Sequence, residues 1–165
     1  MTRILIAYAT KMGATREIAE AIHDELTGRG LTADLHDLAE PVSLHDYDAV
    51  VLGSAVYAGR WRHEAARFVR QHTASLHDRR VWLFESGWVG PRPDHPRPTP
   101  GGQRRAALIA ADPPTVFGGR LDLALAHGVL DRAIAKAMPG DARDLEAIRR
   151  WAGTIADTLT PTATT

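Results

Sequence analysis

Residues 3–30, RILIAYATKMGATREIAEAIHDELTGRG, read as a strand, a loop and a helix in immediate succession. Arg3 to Ala9 is a nearly unbroken apolar run of strand length, and continuous rather than alternating apolarity marks a strand covered on both faces. That is the signature of a central parallel strand. Beyond the loop, Ile18, Ile22 and Leu26 recur four apart with Ala19 beside them, while Arg16, Glu17, Glu20, Asp24 and Glu25 occupy other faces, so the spacing predicts a helix to Arg29 with one side on a sheet. Gly28 and Gly30 stop it. Leu31 to Leu38 follows as a second strand, more alternating and more charged, as expected near a sheet edge.

The same rhythm continues outward. Asp48 to Val56, DAVVLGSAV, repeats the buried-strand pattern, and His63 to Leu76 reads as a helix offering Ala66, Phe68, Val69 and Leu76 to the core. Arg80 to Ser86, RVWLFES, is a fourth strand. Gly87 to Gly102 holds Pro91, Pro93, Pro96, Pro98 and Pro100 and is expected to be an irregular loop, continuing to 105. Ala106 to Ala111 then reads as a short helix and Pro114 to Gly118 as a fifth strand. Asp122 to Ala137 is expected to be a helix with Leu123, Ala126, Leu130 and Ile134 in register, and Asp141 to Leu159 a last helix on Leu145, Ile148, Ala152, Ile155 and Leu159. Strands alternating with helices imply an α/β, doubly wound, five-stranded parallel sheet with helices on both faces. Ligands of such sheets sit beyond the carboxyl ends of the strands. The loops after the first, third and fourth strands are therefore the place to look for function.

Length and composition narrow the classes. A chain of 165 residues, 44% apolar and 24% charged, is expected to form one domain over 1–159 with a frayed polar tail at 160–165. Twenty basic and twenty acidic residues cancel, which removes the overall field that draws a protein to nucleic acid. With no cysteine there are no disulfides, thiolate metal sites or cysteine nucleophiles, so redox chemistry needs a borrowed cofactor. No apolar run approaches the roughly 20 residues of a membrane span, and MTRILIAYAT lacks a small-residue cleavage site; the expectation is a cytoplasmic protein without a transmembrane segment.

Thr10, Lys11, Met12, Gly13, Ala14 and Thr15 link the first strand to the first helix. Hydroxyls, a flexible glycine and a cation stand where a helix begins, and that end offers unpaired N–H groups and the positive pole of the helix dipole. The loop matches neither GxxxxGK[ST] nor GxGxxG, so a single terminal phosphate suits it better than a triphosphate or a dinucleotide pyrophosphate. An ordinary threonine-capped helix start is the competing reading.

ATKMGATREIA, from Ala9 to Ala19, resembles the phosphate loop and first helix of flavodoxin-like FMN proteins, and within them the menaquinone-dependent protoporphyrinogen IX dehydrogenases. VVLGSAVYAGRWRHEAARFV (Val50 to Val69) and VWLFESGWVG (Val81 to Gly90) are similar to that family's third and fourth strands with their flavin-contacting loops. The resemblance implies a strand order 2-1-3-4-5 and FMN as cofactor. It implies that Thr10 to Thr15 wrap the phosphate, and that Ser54, Ala55, Val56, Tyr57 and Gly59, with Ser86, Gly87, Trp88, Val89 and Gly90, flank the ring. It further implies oxidation of a porphyrinogen-like or other hydrophobic donor with a quinone as acceptor, as in heme biosynthesis. Met12 departs from flavodoxins, which usually carry a hydroxyl residue before the glycine. Two other readings stay open: a flavodoxin-type electron carrier serving a redox protein with no small substrate of its own, and a non-redox interaction domain that has lost FMN.

The remaining side chains are weighed on their own chemistry. Gly59, Gly87 and Gly90 can take backbone conformations that other residues resist. Tyr57, Trp61 or Trp88 would either cover a ring face or pack between loop and helix, while Trp82 and Trp151 read as core. The histidines show no metal spacing, and no metal site is expected. Ser54 and Ser86 lie at strand ends outside any GxSxG, which favours loop serines that bind a ligand over hydrolase nucleophiles. Glu85 reads either as a solvated strand-end carboxylate or as a group that orients a ring or a proton donor. Arg92, Arg97, Arg104 and Arg105, opposed only by Asp94, make the proline-rich segment locally basic. It reads as a solvated loop or as a docking surface for an acidic redox partner, for substrate carboxylates such as porphyrin propionates, or for anionic lipid in peripheral membrane contact.

Overall fold

The computed structural model describes residues 1–11, 13–88, 97–118, 120–121, 140–141 and 145–161. Strand β1 (Arg3–Ala9) runs through the middle of a sheet, with helix α1 (Ala14–Gly28) returning the chain to β2 (Thr32–Asp37) on one side. Strand β3 (Ala49–Tyr57) lies on the other side of β1 and turns back through the short β4 (Arg60–Trp61). Helices α2 (His63–Gln71) and α3 (Thr73–His77) lead to β5 (Arg80–Trp88), and α4 (Pro100–Leu108) leads to β6 (Thr115–Gly118). The long strands are parallel in the order β2-β1-β3-β5-β6, which is the expected path, with β4 as an additional strand antiparallel to β3. A separate antiparallel pair joins β7 (Arg120–Leu121) to β8 (Gly140–Asp141), and α5 (Leu145–Leu159) follows.

Alternation along β1 sorts the core into two layers. Ile4, Ile6 and Tyr8 face α1 and α5, where Ile18, Ile22, Leu26, Ile148, Ala152 and Ile155 are buried with them. Leu5, Ala7 and Ala9 face α2, α3 and α4 through Phe68, Val69, Leu76 and Ala106. Burial of each large aliphatic side chain contributes about 2 kcal/mol, so the Ile18–Ile22–Leu26 stripe is what holds α1 on the sheet. Trp82 and Trp151 pack with the first layer, as expected.

Four expectations change. The single helix over His63–Leu76 is two helices, because His72 leaves helical geometry at φ −115° and the Thr73 hydroxyl donates back to the Val69 carbonyl at 2.7 Å. The fourth long strand reaches Trp88 rather than Ser86, with Gly87 packed where a Cβ would run into Val56; its glycine provides close approach rather than an unusual φ. The segment read as irregular to 105 becomes helix at Pro100: Thr99 caps it, accepting from Gly102 N–H at 3.0 Å, and proline at the first helical position sacrifices no bond. Helix α4 therefore precedes the expected Ala106–Ala111 helix and ends where Ala110 turns left-handed at φ 55°. The last helix begins at Leu145, which is exposed rather than part of the core stripe, and Asp141 belongs to β8. The expected Asp122–Ala137 helix lies outside the described residues.

Candidate functional site

Register brings three strand ends to one edge. Ala9 of β1 pairs with Ser54 of β3, Ser54 with Glu85 of β5, and Ala55 with Ser86. From β1 the chain crosses toward β2, and from β3 it crosses toward β5, so the sheet reverses direction between these strands. This opens the crevice where open α/β sheets bind ligands.

The loop after β1 presents a helix start. Gly13 is left-handed (φ 85°, ψ −13°), and its N–H donates to Thr10 Oγ1 at 2.9 Å. The first intrahelical bond runs from Glu17 N–H to the Gly13 carbonyl at 3.2 Å, so the N–H groups of Ala14, Thr15 and Arg16 precede it and have no intrahelical acceptor. Thr10 Oγ1, which accepts from Gly13, still carries a proton of its own to donate. Lys11 Nζ stands 3.5 Å from the centroid of the Tyr57 ring, joining this loop to the next one. Met12 lies outside the described residues. The Thr15 hydroxyl is buried and paired with the Ser86 hydroxyl at 2.7 Å, which ties α1 to β5.

The loop after β3 is a tight hairpin. Val56 pairs with Trp61 and Tyr57 with Arg60, leaving Ala58 (φ 50°) and Gly59 (φ 74°) as a two-residue turn with both residues left-handed, the geometry that suits the natural twist of a hairpin. The Ser54 hydroxyl is buried at the base of this loop, accepting from Arg62 N–H and donating to the Ala55 carbonyl, both at 2.9 Å. Ala55, Val56 and Tyr57 are half-buried and Gly59 is exposed. Trp61 is buried, with its Nε1 on Glu85 and the Arg105 guanidinium 5.4 Å from its ring; it packs between loop and helix.

Glu85 is not a solvated strand-end carboxylate. It is 1% exposed and accepts three hydrogen bonds. Trp88 belongs to β5, while Val89 and Gly90 lie outside the described residues. Thus Thr10, Lys11, Gly13, Ala14, Thr15, Ser54 to Tyr57, Gly59, Ser86 and Gly87 gather at one edge. Sequence reasoning missed the Glu85–Thr99 and Ser54–Arg62 links. A carboxylate inside an apolar strand was the available signal for the first.

Charge is unevenly placed around this edge. Arg105 lies near Arg104 and Arg70, and its guanidinium is pushed down from its ordinary range by burial first and by those two cations second. Arg92 and Asp94 lie outside the described residues. Among the described residues, no group of three His, Cys, Asp or Glu side chains is placed to hold a metal, and no helix is long and apolar enough to cross a membrane.

Known proteins share this fold. The chain is 29% identical over 110 residues to the protoporphyrinogen IX dehydrogenase [quinone] of Escherichia coli (strain K12), a match covering 65% of this chain and 60% of that relative's length. Oxidised flavodoxin 2 of Bacillus cereus superposes with a TM-score of 0.64 at 21% identity, covering 96% of this chain and 100% of the other. The rubredoxin oxygen:oxidoreductase of Desulfovibrio gigas superposes over 96% of this chain and 36% of its own, with a TM-score of 0.64 at 16% identity. The profile of the flavodoxin domain matches residues 5–138. With that match spanning most of its length, and with the strand order and crevice described above, the chain belongs to the flavodoxin domain family.

Proposed function

We propose that this protein is an FMN-dependent oxidoreductase of flavodoxin type. One observation carries the reading: at the switch point between β1 and β3, left-handed Gly13 opens a helix whose first three N–H groups, on Ala14, Thr15 and Arg16, have no intrahelical acceptor. A phosphate monoester dianion fits that donor set, because it accepts several hydrogen bonds at once and is favoured at the positive pole of a helix. The Thr10 proton adds a fourth donor. Bound FMN supplies reversible transfer of one or two electrons, and the chain's task is to bind, orient and shield it. The Tyr57–Arg60 turn and the end of β5 would flank the ring.

The finer proposal is that a hydrophobic, porphyrinogen-like donor is oxidised and a quinone is reduced. It draws on the name of the E. coli relative, of which this chain spans 60%, and on Arg105, whose guanidinium beside the Trp61 ring of the hairpin, with Arg104 near it, offers a cation to substrate carboxylates. The equal count of 20 basic and 20 acidic residues favours this over an acidic electron carrier that docks on protein partners.

The test is the visible spectrum of the purified protein, followed by titration of the apo form with FMN, FAD and riboflavin. FMN is expected to bind stoichiometrically. Riboflavin, lacking the phosphate, should bind about a hundredfold more weakly, the equivalent of roughly two charge-assisted hydrogen bonds. Equal affinity for FMN and riboflavin refutes the phosphate cradle, and absence of flavin binding refutes the oxidoreductase reading. Reduced protein that a menaquinone analogue fails to reoxidise refutes the quinone step.

A further inference from the structure

Among the described residues, Glu85 is the only fully buried side chain that carries a formal charge. No cation lies within ion-pair distance of it in the described structure; its hydrogen-bond partners are dipoles, and the Arg105 guanidinium over the Trp61 ring is the nearby cation that feels its charge. Oε1 accepts from Trp61 Nε1 at 2.7 Å and from the Thr99 hydroxyl at 2.6 Å, and Oε2 accepts from Thr99 N–H at 2.9 Å. The Thr99 oxygen in turn accepts from Gly102 N–H, the cap of α4, at 3.0 Å. At Gly102 a Cβ would overlap Oε1, so the helix start is pressed directly onto the carboxylate. A buried charge is tolerated only when hydrogen-bonded, and here three donors and the positive end of α4 meet that condition.

The partners belong to different loops. Trp61 closes the hairpin that follows β3, and Thr99 ends the segment that follows β5. One side chain on β5 therefore joins the hairpin after β3 to the residue that caps α4. The donor count explains a carboxylate at this position: an ionised carboxylate has acceptor sites for all three bonds and no proton of its own. Glutamine would turn an NH₂ group toward at least one donor. We propose that Glu85 is a positioning residue that holds the Tyr57–Arg60 turn and the segment entering α4 at a fixed separation, so that the ring slot is formed before ligand arrives. This inference rests on the FMN reading above and concerns the ring, not the phosphate.

The full-length chain with Glu85→Gln tests it. The ring slot contributes equally to FMN and riboflavin binding, so both affinities should fall about tenfold while their ratio, which reports the phosphate cradle, stays at the wild-type value. In the apo protein, amide exchange at Thr99 and Gly102 should quicken about tenfold or more. Thr99→Val should reproduce both effects and Thr99→Ser should restore them, which keeps the proposal testable if Glu85→Gln folds poorly. Unchanged affinities in folded Glu85→Gln and Thr99→Val proteins overturn the proposal, as does loss confined to FMN. If wild-type protein binds no flavin, the FMN reading falls. Amide exchange then decides the clamp alone, with acceleration supporting it and wild-type rates overturning it.

Discussion

Gly53→Ala isolates a steric requirement at the base of the site. Gly53 lies in β3 beside Tyr8 and Phe84, and its φ is not in the left-handed region, so alanine is acceptable to the backbone. A Cβ placed there falls 2.0 Å from Phe84 Cζ. Carbon atoms in contact rest about 3.5–4.0 Å apart, so the ring must withdraw by about 1.5 Å. It has nowhere to go: Phe84 is fully buried, with Phe117 at 6.1 Å and Trp151 at 6.0 Å between centroids, and those two rings contact each other at 5.5 Å. Overpacking of this kind costs about 3 kcal/mol, the upper end of the usual range, because a ring rather than a methyl group must move. For a domain of this size that is a drop of roughly 6–12 °C in Tm. Urea denaturation should show a lower midpoint at unchanged m. Phe84→Leu removes the obstructing ring tip, so the double variant should be at least about 1 kcal/mol more stable than the sum of the single effects predicts. A Gly53→Ala protein within about 0.5 kcal/mol of wild type, or additive effects in the cycle, refutes the reasoning.

Two further predictions concern stability. Helices α1 and α4 both end on a left-handed residue, Gly30 (φ 85°) with Leu31 N–H bonded to the Leu26 carbonyl, and Ala110 (φ 55°) with Ala111 N–H bonded to the Ala106 carbonyl. Ala110→Gly should raise stability and Gly30→Ala lower it, each by about 1 kcal/mol in denaturant titrations, and shifts of the same sign refute the comparison. The Asp34 carboxyl is held below the ordinary carboxylate range, chiefly by the Tyr47 hydroxyl at 2.9 Å and then by the Arg3 guanidinium at 2.8 Å. A depressed folded-state pKa adds stability at neutral pH that is lost as pH falls through it, so Asp34→Asn should be less stable at pH 7 and lose that deficit below about pH 4. A deficit that persists unchanged to pH 3 would falsify this assignment; salt should shrink it, since both side chains are exposed.

Strands β1, β3 and β5 were legible because burial on both faces writes itself as unbroken apolar runs, and α1 because one packed face writes itself as a spacing of four. The start of α4 was hidden because proline was read as a breaker, whereas Pro100 sits where a helix has no N–H bond to lose. The β3–β4 hairpin was hidden because its turn uses Ala58-Gly59 in place of the asparagine or aspartate that usually advertises two left-handed residues. Glu85 was ambiguous for another reason. Its partners, Trp61 and Thr99, lie 24 and 14 residues away in segments without periodicity, so nothing local records that its charge is satisfied. The positions of the candidate loops could be read from strand ends, while the use of their hydroxyls could not.

That use bears on how such a site would discriminate. Ser54 is occupied with Arg62 and Ala55, Thr15 is paired with Ser86, and Glu85 holds Trp61 and Thr99. The polar side chains at the carboxyl edge of the sheet are thus committed largely to one another. What the edge offers a ligand is mainly backbone, namely the N–H groups that open α1, fixed in direction by the strand below. Fixed donors need little reorganisation when they meet an anion, which makes them more effective than equal numbers of mobile side chains. On the proposed reading, flavin selection is therefore governed by the glycines and buried side chains that set backbone position. Gly13 and Glu85, which set backbone position, should matter more to affinity than Lys11, whose ammonium is directed at the Tyr57 ring.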